Sequence, residues 1–126
     1  MLLELNGIDV ECIIGDRPDE RERAQRLSVD VALEIGDAAA ESDELADTVD
    51  YARLSVRIRE ALAVAKCRMI ERAAKVACDI CMADPKVASA RVKVVKCGAV
   101  PHLISASATY EARRASAGTK GSGNVA

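Results

Sequence analysis

Residues 27–35 read LSVDVALEI. Leu27, Val29, Val31, Leu33 and Ile35 fall on one side of an extended chain, and Ser28, Asp30, Ala32 and Glu34 on the other. Side chains of a strand point alternately to its two faces, so this alternation predicts a strand with one buried face.

Upstream, Asp16–Arg26 is a charged loop, DRPDERERAQR, with Pro18 near its start. Leu2–Gly15 before it reads as another strand, with Gly7 marking a bulge. The two strands and their loop form an antiparallel hairpin. Downstream, Gly36–Val49 is a connection in which Asp37–Ala40 forms a short helical turn. Asp50 is placed to cap a helix over Tyr51–Ala65, where Leu54, Ile58, Ala61, Leu62 and Ala65 share one stripe. Lys66-Cys67-Arg68 interrupts it. A second helix covers Met69–Ala83, with Ile70, Ala73, Ala74, Ala77 and Cys81 inward, and Asp84-Pro85 ends it. Val87–Lys96 is a third strand and Cys97–His102 a turn. Leu103–Ala112 is a fourth strand, with Ile104, Ala106, Ala108 and Tyr110 on one face. The order ββααββ predicts an α+β domain over 1–114, a four-stranded antiparallel sheet with two helices on one face. Residues 115–126, Gly- and Ser-rich, read as a disordered polar tail.

The composition narrows the function classes. Half of the 126 residues are hydrophobic, yet there is no Phe or Trp and there are only two Tyr. Small aliphatic side chains bury little area each, at roughly 25 cal/mol per Å², so a core of this kind gains from association with further copies. The net charge of −2 comes from interspersed signs, which excludes a basic stripe for nucleic acid, and two aromatic residues make no base-stacking platform. No apolar run approaches the roughly 20 residues of a membrane span. The start carries acids early and lacks a secretory leader pattern, and five Cys within apolar patterns suit reduced thiols, so a cytoplasmic protein is expected.

Five local features can carry chemistry. Glu20 and Gln25 lie in the charged loop. Asp47-Thr48-Val49-Asp50-Tyr51 leads into the first helix. Ile70-Glu71-Arg72 opens the second, where an acid suits the helix dipole and a carboxylate can also accept from an N–H beside an NH₂ on a flat heterocycle. Lys96 ends a strand, where an amine beside a carboxylate can pass protons. Cys78-Asp79-Ile80-Cys81 falls inside a predicted helix, which favours buried small residues over redox or metal roles. His102 is the lone His, so no catalytic metal is expected.

Four segments in order, IIGDRPDERERAQ at 13–25, SDELADTVDYARL at 42–54, MIERAAKVA at 69–77 and VKVVKCGAV at 92–100, resemble the dihydroneopterin aldolase family of folate biosynthesis. The resemblance spans residues 2–114. It implies the tunnelling fold (T-fold), in which sheets of several subunits close into a β-barrel, as a tetramer ring or an octamer with active sites between neighbours. It implies a lyase that cleaves 7,8-dihydroneopterin by a retro-aldol step with no cofactor, metal or Schiff base. By the same resemblance Glu71 anchors the pterin ring and Ile70 packs on it. Lys96 transfers protons, paired with Glu20. Tyr51 comes from a neighbouring subunit to the side-chain hydroxyls, with Val49 and Asp50 lining the same wall. Two alternatives stay open: the related epimerase, which acts on dihydroneopterin or its triphosphate by the same cleavage followed by re-addition, and a pterin-binding relative without catalysis, in which Lys96 has no part.

Overall fold

The computed structural model describes residues 1–115. The elements run β1 (Leu2–Cys12), β2 (Gln25–Ile35), α1 (Ala38–Ser42), a 3-10 turn (Leu45–Asp47), α2 (Tyr51–Ala65), α3 (Ile70–Met82), β3 (Val87–Cys97) and β4 (Ser105–Arg113). The expected tail falls outside the described residues, apart from Ala115. The strands form one antiparallel sheet in sequence order, β1-β2-β3-β4.

The sheet is built around the LSVDVALEI stretch. Its five aliphatic side chains are all buried, and both neighbouring strands pair with it, Val29 opposite Ile8 on one side and Val94 on the other. Gly7 is the expected bulge. The β1–β2 register shifts between Leu5 and Ile8, Gly7 takes φ 74°, and the displaced Gly7 N–H donates to the Asp30 carboxylate at 2.7 Å. A side chain at that φ would be strained, so glycine suits the position.

Helices α2 and α3 cover one face, α2 over β1 and α3 over β3 and β4. Leu54, Ile58 and Leu62 of α2, and Ala73, Ala74, Ala77, Cys78 and Cys81 of α3, complete the core. Ala residues let α3 lie close to the sheet. The four-residue connector 66–69 makes the two helices an antiparallel pair. Lys66, in the left-handed conformation at φ 47°, ends α2.

Several boundaries differ from expectation. β1 stops at Cys12 rather than Gly15, because Ile14 and Gly15 turn the chain into the charged loop and bond it to the helical connector. Ala65 is exposed at the end of α2, where the stripe runs past the edge of the sheet. β4 begins at Ser105, and Ile104 is 89% exposed in the preceding turn rather than facing inward with Ala106 and Ala108. Tyr110 keeps the helix side of β4, with the Lys75 ammonium 5.8 Å from its ring centre. Among the described residues no helix is long and apolar enough to cross a membrane.

Candidate active site

Strand β3 carries its inward row Ala90, Val92, Val94 and then Lys96. The same alternation that buries two valines therefore drives an ammonium into the dry side of the sheet. A buried charge is tolerated only when paired and hydrogen-bonded. The partner is Glu20, whose Oε2 lies 2.6 Å from Lys96 Nζ, with both side chains less than one-tenth exposed. Among the described residues these are the two buried charged side chains.

The loop between β1 and β2 is shaped to deliver that carboxylate. A turn at 17–21, closed by the Arg21 N–H on the Arg17 and Pro18 carbonyls, points Glu20 back under the sheet. The Arg17 N–H donates to Oε1 at 3.3 Å, and Gln25 Nε2 donates to Oε2 at 3.3 Å while also bonding the Ile14 carbonyl at 2.7 Å. Gly15 completes the cradle. Its φ is 124°, and a Cβ there would overlap the Glu20 carboxyl group. The hydrogen bond from Lys96 is the largest influence on Glu20, helped by Gln25 and the Arg17 amide and opposed by burial. Together they hold its carboxyl at about 2, so Glu20 is ionised at neutral pH.

The start of α3 is brought to the same end of the molecule. The Gly15 N–H donates to the Cys67 carbonyl at 3.2 Å, and Arg21 bonds the carbonyls of Gly15, Lys66 and Cys67. Ile70 and Glu71 follow directly. Ile70 is half-buried against the core, and Glu71 is exposed in the first turn of the helix. The Met69 side chain makes no cap, so the first amides of α3 have no side-chain acceptor.

Val49, Asp50 and Tyr51 are at the other end of the helix layer. Val49 is buried, Asp50 caps α2 by accepting from the Arg53 N–H at 3.1 Å, and Tyr51 is 59% exposed. Tyr51 lines a hollow with the Gly7 bulge, Ser55 and Arg59, which Glu20, Glu71 and Lys96 do not border. Within one chain, then, the structure joins Glu20 to Lys96, brings Ile70 and Glu71 to the same end, and leaves Tyr51, Asp50 and Val49 at the opposite one.

The four buried thiols are passive. Burial pushes Cys12 up to about 11, with Cys67 adding to the rise and Lys96 opposing it, and burial likewise raises Cys67. Cys78 and Cys81 are buried in α3, as the sequence predicts for the C-x-x-C. Burial raises both, Cys81 to about 12, so both stay protonated at neutral pH. Arg21 and Gly15 are the two site-building residues that sequence reasoning missed. Gly15, just after an apolar run and ahead of the Glu20 loop, gave a usable signal. Arg21, one of four arginines between 17 and 26, gave none.

The profile of the FolB dihydroneopterin aldolase family matches residues 3–113. A putative dihydroneopterin aldolase from Vibrio cholerae superposes with a TM-score of 0.85 at 27% identity, over 90% of this chain and 98% of that one. The Escherichia coli dihydroneopterin aldolase in complex with neopterin gives 0.83 at 24% identity, over 89% and 98%. A Burkholderia dihydroneopterin aldolase bound to guanine gives 0.77 at 20%, over 91% and 92%. The ββααββ sheet is thus the T-fold of these enzymes, and with the family profile spanning nearly all of the described chain, the protein belongs to the dihydroneopterin aldolase family.

Proposed function

We propose that this protein cleaves the side chain of 7,8-dihydroneopterin in the cytoplasm, giving 6-hydroxymethyl-7,8-dihydropterin and glycolaldehyde without metal or Schiff base. The observation that carries this reading is the Lys96 ammonium buried on Glu20 at 2.6 Å, at the end of the fold where α3 presents Glu71. Retro-aldol cleavage requires a proton to leave the 2′-hydroxyl as the C1′–C2′ bond breaks. The bonding electrons pass through C6 to N5, which gains a proton. Protonation of C1′ with loss of the N5 proton then restores the C6=N5 bond. The ring is the electron sink, so the protein has to hold it and move protons. Glu71 accepts from the ring's 2-amino group and N3–H, an edge that guanine also carries, and Ile70 packs on its face. Lys96, with a water, exchanges the protons near N5, and Glu20 keeps the amine in place.

Tyr51, Asp50 and Val49 then act in a neighbouring subunit's site. The open edges of β1 and β4 and the helix-free, polar sheet face, with Asp30, Glu34, Arg91 and Lys93, suit closure of several sheets into a barrel, as a tetramer ring or an octamer. Incubation with 7,8-dihydroneopterin tests the chemistry. Equal amounts of glycolaldehyde and the hydroxymethyl product are expected. Recovery of unchanged substrate overturns the reading, and conversion to 7,8-dihydromonapterin alone replaces it with epimerisation.

A further inference from the structure

Five of the twelve arginines of this chain point at carboxylates. Arg17, Arg26, Arg68, Arg91 and Arg113 all form ion pairs. Arg21 does something else. Its Nη1 donates to the carbonyls of Gly15 at 2.9 Å and Cys67 at 3.2 Å, and its Nη2 donates to the Lys66 carbonyl at 2.7 Å. One planar group therefore spans two segments 46 residues apart in sequence, from two nitrogens held apart in a rigid fork, where an ammonium would have to reach all three carbonyls from one atom. Gly15 and Arg21 flank Glu20 within its loop, and Gly15 is so close to the Glu20 carboxyl that a methyl group does not fit. Cys67 and Lys66 belong to the connector that launches α3.

The other ties between the two segments are slight. One is the Gly15 N–H on the Cys67 carbonyl at 3.2 Å. The other is the exposed Arg68–Asp16 pair at 3.4 Å, and such surface pairs contribute about 0–1 kcal/mol. We infer that Arg21 is a positioning residue, which fastens the Glu20 loop to the start of α3 and so fixes the spacing between the Glu20–Lys96 pair and Glu71. It touches neither substrate nor reacting atoms. The consequence for turnover rests on the proposed pterin chemistry: the ring stays on Glu71, while the proton-passing amine drifts from N5. The loss therefore falls on kcat rather than KM.

The test uses the full chain with Arg21→Ala, Arg21→Lys and, as a control on the exposed ion pair, Arg68→Ala. Turnover is measured at a temperature where circular dichroism shows each variant folded. Misplacement by about 1 Å can reduce a rate about 100-fold, so Arg21→Ala is expected to lower kcat by about 10–100-fold with KM changed much less. Arg21→Lys, which keeps the charge and the aliphatic stem but reaches fewer carbonyls, should fall between, and Arg68→Ala should stay near wild type. A second readout needs no substrate. The ¹³C resonance of the Glu20 carboxyl, faced by Lys96, Gln25 and the amide and guanidinium of Arg17, is followed from about pH 6 down to about pH 3.5. It should stay ionised in the wild type and begin to titrate within that range in Arg21→Ala. Wild-type kcat in Arg21→Ala, an equal loss in Arg68→Ala, or an unmoved Glu20 resonance overturns the inference. If the wild type itself leaves pterins unchanged, the functional reading falls, and the Glu20 resonance alone decides the role of Arg21.

Discussion

The two ends of the helix layer are built on different physics. Where α3 begins, a carboxylate and an ammonium meet out of water, a glycine leaves room for them, and backbone amides and an arginine fork hold the surrounding loops. Where α2 begins, Tyr51 stands in solvent beside a β-bulge and Asp50 is an exposed cap. A 15-residue helix separates the two ends, about 22 Å at 1.5 Å per residue. The first end is complete within one chain, because a buried ion pair must be satisfied as the chain folds. The second end is open: a large amphipathic side chain with nothing over it contributes little to this chain's own stability, which is in line with the proposed role of Tyr51 in a neighbouring subunit's site.

Replacing Lys96 should separate the two ends most sharply. Lys96→Met leaves the Glu20 carboxylate buried without its partner, a change that costs about 3–5 kcal/mol in comparable pairs. Urea denaturation should show a loss of that order, partly recovered in the Glu20→Gln/Lys96→Met double variant, and turnover should fall by about 10²–10⁴-fold. Tyr51→Phe should leave unfolding within about 0.5 kcal/mol of wild type, while still lowering turnover. If sites form between chains, refolding an equal mixture of Lys96→Met and Tyr51→Ala proteins should restore about a quarter of the wild-type sites, the fraction that receives both intact residues by random assembly. A mixture as inactive as its components breaks the comparison, since Tyr51 would then have no role in a neighbour's site.

Acid should act on the α3 end first. Glu20 is held at about 2, below its ordinary 4.5, chiefly by the Lys96 hydrogen bond. A carboxyl lowered by folding stabilises the native state above its unfolded value, and the contribution drains away as pH falls toward the folded one. Unfolding free energy should therefore decline from about pH 4.5 toward pH 2 more steeply in the wild type than in Glu20→Gln/Lys96→Met. Parallel curves for the two proteins would show that the pair is no stronger in the folded protein than in the unfolded chain.

What was legible in the sequence follows the same division. The alternation of 27–35, the bulge at Gly7, the cap at Asp50 and the Leu54, Ile58 and Leu62 stripe of α2 depend on neighbours in sequence, and all are where the local pattern placed them. Lys96 belongs to the β3 alternation, yet a lysine at a strand end is ordinary, and its burial depends on a carboxylate 76 residues away. Only the family resemblance joined them before the structure. Arg21 lay beyond both routes, because its partners are backbone carbonyls and no residue type marks them. The misplacement of Ile104 has a similar origin: period two runs past Ser105, but pairing of β3 with β4 stops at Cys97 and Ser105, and the turn carries Ile104 into solvent.

The smallest expected effects compare the two helix starts. Asp50 gives α2 a side-chain acceptor, whereas Met69 gives α3 none, although its φ of −113° and ψ of 141° suit a cap residue. Asp50→Ala should reduce stability by about 1 kcal/mol and Asp50→Asn by much less, because Asn accepts from the same amide. Met69→Ser, which supplies the missing acceptor to the α3 amides, should gain a comparable amount. Thermal unfolding of the three variants reads these shifts. Stability unchanged by Met69→Ser would mean that water already satisfies the first turn of α3 as well as a hydroxyl could, and the contrast between the two starts would then carry no energetic weight.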